Sequence, residues 1–133
     1  MKTFKALLLT AITILSITAV AGSEHDHGAP SFQPPKGGIL KSTHSMHLEL
    51  VKGAKGIIIY AYNMEGKALG TKNLQLDATL ELPRKKPVAL KLENKETHWE
   101  AAVDSQGTHR YTVKVNIDDG KEKDYVKFTI ENK

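Results

Sequence analysis

The chain has 133 residues, six histidines, no cysteine and a formal charge of +4. That length suits one domain rather than two, with ~60–70% of the unfolded surface buried in a single core. The absence of cysteine excludes a lipoprotein anchor, a thiolate nucleophile, disulfide staples and any Cys-based zinc or iron–sulfur site, so the fold rests on packing alone.

The first 21 residues read as an export signal. Met1-Lys2-Thr3-Phe4-Lys5 gives a positive start, residues 6–20 form an uncharged apolar run, and Ala19-Val20-Ala21 has the small-x-small pattern of a signal peptidase site. The run falls short of the ~20 residues that span a bilayer, so cleavage after Ala21 or Gly22 is expected rather than stable membrane insertion. The expected location is the periplasm of a Gram-negative bacterium. With Lys2 and Lys5 in the leader, the exported part is nearly balanced, and its Lys and Glu residues alternate instead of forming a basic patch. Nucleic acid is therefore not an expected partner.

Residues 22–38 show no hydrophobic period and are interrupted by Gly28, Pro30, Pro34, Pro35, Gly37 and Gly38. They are expected to form a flexible head that carries His25 and His27. From residue 39 the pattern changes to short alternating strands separated by turn residues. Residues 39–51 read as one strand long enough to bend, with His44, Met46, Leu48 and Leu50 on one face and Ser45, His47, Glu49 and Val51 on the other.

Residues 56–62 are β-branched and aromatic, which predicts a mid-sheet strand. Residues 74–82 alternate most cleanly, with Leu74, Leu76, Ala78, Leu80 and Leu82 inward. Strands are also predicted over 88–92 and 97–103. A further one runs over 109–117, with Tyr111, Val113, Val115 and Ile117 inward. Asp118-Asp119-Gly120-Lys121 predicts a tight hairpin into a last strand over 125–130. Seven or eight strands without a helix point to an all-β, immunoglobulin-like antiparallel sandwich over 39–133, with Trp99 at the core in place of the usual Cys pair.

Pro35-Lys36-Gly37-Gly38-Ile39, His47-Leu48-Glu49-Leu50-Val51 and Ile59-Tyr60-Ala61-Tyr62-Asn63 with Gly66-Lys67-Ala68-Leu69 resemble small exported bacterial domains akin to periplasmic modules of heavy-metal efflux adaptors. The resemblance covers residues 35–70. It implies a Gly-Gly opening before a His-Leu-Glu-Leu-Val strand and an association with metal efflux. Members often carry His-Gly-Gly at the opening; Lys36 stands there in this chain, so that ligand does not carry over.

All six histidines lie beyond the leader. With Met46 and Met64 they are ligand types for copper, nickel or zinc in a cysteine-free protein. A cut after Gly22 makes Ser23-Glu24-His25 a free N-terminus able to enclose Cu(II) or Ni(II) in a square plane. A cut after Ala21 leaves a looser site of His25, Asp26 and His27. On the strand, His44 with Met46 suits Cu(I), and His47 with Glu49 suits zinc. The plainer alternatives are a solvated tail, a core Met46 and an exposed His47. His98 and His109 can meet if their strands pair as a hairpin, or can simply flank a turn.

No nucleophile elbow, His-Glu-x-x-His helix or phosphate loop is present, so no enzyme is expected. The tyrosines and Trp99 read as core filling before they read as a stacking platform. The expected function is an exported copper- or zinc-binding accessory or carrier domain, with His25, His27, His44, Met46, His47 and Glu49 as candidate ligands. The alternative is a non-catalytic module that pairs with an envelope protein through a sheet edge.

Overall fold

A computed structural model describes residues 32–133. Ten strands follow one another: β1 (Ile39–Ser42), β2 (Met46–Lys52), β3 (Gly56–Asn63), β4 (Ala68–Leu69), β5 (Gln75–Glu81), β6 (Val88–Leu90), β7 (Glu93–Asn94), β8 (Trp99–Ala102), β9 (Arg110–Asp118) and β10 (Lys123–Glu131). All pairings are antiparallel. One sheet runs β1-β2-β3-β8-β7, and β4 pairs with the part of β3 beyond β8; the other runs β10-β9-β5-β6. The molecule is an all-β sandwich.

Alternation explains which side chains fill the space between the sheets, because residues two apart on a strand share a face. The first sheet contributes Met46, Leu48, Leu50, Ile57, Ile59, Ala61, Trp99 and Ala101 to the core. The second contributes Ala78, Leu80, Tyr111, Val113, Val115, Ile117, Val126, Phe128 and Ile130. Trp99 is buried at 3% exposure, as expected of a core centre. The apolar strand β3 lies in mid-sheet, with β2 on one side and β8 and β4 in succession along the other.

Three local expectations change. Residues 39–51 form a hairpin, not one bent strand. Thr43 N–H donates to the Met46 carbonyl at 2.8 Å, and the Thr43 hydroxyl accepts from the amides of Ser45 and Met46. This hydroxyl turn needs neither Gly nor Pro and so leaves a weak sequence signal. The β9–β10 hairpin closes through a four-residue loop, since Asp118 pairs with Lys123. Asp118 accepts the Gly120 amide and Asp119 accepts those of Lys121 and Glu122, which stabilises the longer loop. Finally, residues 32–38 are packed against the domain rather than forming a free lead-in to Ile39.

Candidate functional site

The outward face of the first sheet is unusually covered. His47 and Glu49 of β2 stand opposite Tyr62 and Tyr60 of β3 in the strand register. Both belong to the face away from the core, where alternation alone predicts solvent, yet His47 is 3% exposed and Glu49 is fully buried. The cover is the strap of residues 32–38. Pro34 and Pro35 open a turn closed by Gly37 N–H donating to the Pro34 carbonyl at 3.1 Å, and this turn aims successive amides at β2.

Glu49 is the anchor. Its carboxylate accepts the Lys36 amide at 3.0 and 3.1 Å, the Gly38 amide at 2.8 Å and the Tyr62 hydroxyl at 2.8 Å. A buried carboxylate is tolerated only with such partners. Burial first, then the hydrogen bond to Glu49 and the charge of that carboxylate, push the Tyr62 hydroxyl above the ordinary tyrosine range, so it remains a donor. Gly38 is required by close approach: a Cβ there would lie 2.4 Å from the Leu50 carbonyl oxygen.

Phe32 closes the far end of the strap. Its ring stacks on His47 with centroids 5.1 Å apart and meets Tyr62 edge-on at 5.2 Å. Gly66, at φ +89°, lies under the same ring, where a Cβ would come within 2.7 Å of it. His47 Nδ1 is 2.6 Å from Ser42 Oγ, its register partner on β1. In the tautomer in which Nδ1–H donates to Ser42, Nε2 carries the lone pair an ion requires.

The remaining candidates do not join this site. His25 and His27 lie outside the described residues. His44 is exposed in the β1–β2 turn, its amide donating to Asp124 at 3.2 Å. Met46 is a core residue at 3% exposure, on the opposite face from His47. Glu49 is close to His47 in sequence, but its oxygens are taken up by the strap and Tyr62.

His98 precedes β8 in the first sheet and His109 precedes β9 in the second; the two strands do not pair, so no hairpin joins these histidines. His98 lies 3.0 Å from Glu100 and beside the Tyr60 ring. Among the described residues, no three His, Asp or Glu side chains group to hold an ion. Sequence reasoning missed Ser42 and Phe32. The register of a β1–β2 hairpin would have found Ser42; Phe32, isolated among prolines, gives no periodic signal. No family model matches the chain, and the comparisons with curated proteins and with solved structures found no match.

Proposed function

We propose that the protein is an exported, non-catalytic accessory or carrier domain of the bacterial periplasm that binds copper or zinc through His25, His27 and His47. The observation that carries this reading is the stack of Phe32 on His47. Phe32 follows His25 and His27 in the sequence, so its seat fixes one end of that segment beside an imidazole held by Ser42. Four residues separate His27 from Phe32, five Cα steps with a reach of at most about 18 Å, so a head imidazole can be delivered to His47.

A metal-binding histidine typically has its second ring nitrogen held by an oxygen, as Ser42 holds Nδ1. Three nitrogen donors with one open position suit a zinc or copper site. Glu49 and Met46 are left out of the ligand set, the first because its oxygens already hold the strap, the second because it fills the core. His44 is left out because it lies exposed in the β1–β2 turn, where its amide donates to Asp124 of the second sheet.

Calorimetric titration of the exported protein with Zn(II) and Cu(II) tests the reading. The expected result is one ion per chain, with affinity falling at least about tenfold in the His25→Ala/His27→Ala double variant. Equal affinity in that variant would sink it.

A further inference from the structure

The outward face of the second sheet carries a different kind of surface. Three strands meet there in register, so that Asp77 of β5, Asn116 of β9 and Tyr125 of β10 form one row across the sheet. Gln75, Asp118 and Lys123 form the next row. These six side chains, with Asp124 and Ile117, line a depression of about 410 Å³. That lies within the ~300–1,000 Å³ typical of small-molecule sites.

Tyr125 is the conspicuous residue. Alternation turns Val126, Phe128 and Ile130 inward and leaves Tyr125 outward, 56% exposed. An aromatic ring there contributes nothing to the core. It is nevertheless braced: Lys114 Nζ lies over it, 4.7 Å from the centroid. Lys114 pairs with Thr79 and Lys127, in the row on the other side of Tyr125 from Gln75, Asp118 and Lys123. The lysine thus springs from the row away from the depression, and with Nζ over it the ring is still 56% exposed.

We propose that this depression binds a neutral saccharide, with a pyranose ring stacked against Tyr125. Charge selects the class. A cationic ligand would meet Lys123 in the lining and Lys114 behind the ring, and an anionic one would meet Asp77, Asp118 and Asp124. A neutral, hydroxyl-rich molecule suits both signs. The carboxylates of Asp118 and Asp124 are already engaged, by the Gly120 amide in one case and by those of His44 and Tyr125 in the other. Asp77, exposed in the row of Tyr125, is the carboxylate placed to accept sugar hydroxyls. Gln75 and Asn116, also exposed, each offer an amide donor and acceptor. The ring supplies the apolar contact that carbon-bound hydrogens of a pyranose require, with an amphipathic edge in water.

This proposal is independent of the metal reading, which concerns the other sheet. The test is amide chemical-shift mapping of the whole exported protein with cellotetraose, maltotetraose and N-acetylated chitotetraose as probes. Shifts are expected for at least one probe, confined to the amides around Gln75, Asp77, Asn116 and Tyr125. Affinity should fall about tenfold in Tyr125→Ala and remain near that of the parent in Tyr125→Phe. Tyr125 is exposed, so both variants should keep the parent's spectrum elsewhere. The proposal is overturned if no probe shifts these amides at about 10 mM, or if Tyr125→Ala binds as well as the parent.

Discussion

Glu49 shows how a single buried charge organises its neighbourhood. Its two oxygens collect two backbone amides and a phenol, and hydrogen bonds to a charged acceptor stabilise more than neutral ones. Glu49→Gln keeps the volume but sets an amide donor against these donors. The expected loss is about 2–3 kcal/mol, read from the urea midpoint; an unchanged midpoint would show that the carboxylate does not hold the strap. Asp119, half-buried in the β9–β10 loop, is a second carboxylate held by backbone amides. The amides of Glu122 and Lys121, with a smaller contribution from the Ser45 hydroxyl, hold its carboxyl below the ordinary aspartate value.

Because the folded value is the lower one, that contribution to stability is present above the unfolded aspartate range and is lost as pH falls through the folded value. Asp119→Asn, which keeps an oxygen for the same amides, should therefore flatten the acid limb of a stability–pH profile. A profile that overlays the parent's from neutral pH to acid would contradict the assignment.

At the scale of elements, the strap and the β2–β3 pair behave as one unit. Phe32 joins them through His47 and Tyr62, and the Lys36 and Gly38 amides join them through Glu49. Phe32→Ala should cost about 1–3 kcal/mol, since a large apolar ring leaves a partly buried seat. The same variant should speed hydrogen exchange at the Lys36 and Gly38 amides while β9 and β10 amides keep theirs. Equal acceleration across both sheets would mean that the strap is part of the global fold and not a local cover.

These elements also show what a sequence can and cannot display. Alternation in β5, β9 and β10 identifies the inward residues, because one buried face imposes a period of two. The same rule fails for His47 and Glu49, whose face is covered by a non-periodic segment rather than by a sheet. For Tyr125 the rule holds and residue type misleads: an aromatic side chain in a strand suggests core, while its parity points outward. The β1–β2 turn was invisible because a threonine hydroxyl, and not a Gly or Pro, closes it.

For the whole molecule, the two sheets present two unlike outward faces. The first is closed by the strap over His47 and Glu49; the second is open, polar and marked by Tyr125. A sandwich with a packed core supplies a rigid frame for both, and the proposed chemistry resides in what each outer face offers. How the head meets the domain was only half legible. The ligand types of His25 and His27 are plain in the sequence, whereas the seat of Phe32 on His47, from which the proposed ligand set is argued, leaves no signal there.

The most direct measurement follows the imidazole signals of the exported protein by NMR as Zn(II) is added. The account predicts that His25, His27 and His47 shift together and saturate at one ion per chain, while His44, His98 and His109 stay in place. A titration that leaves His47 unmoved, or moves all six histidines alike, would contradict it.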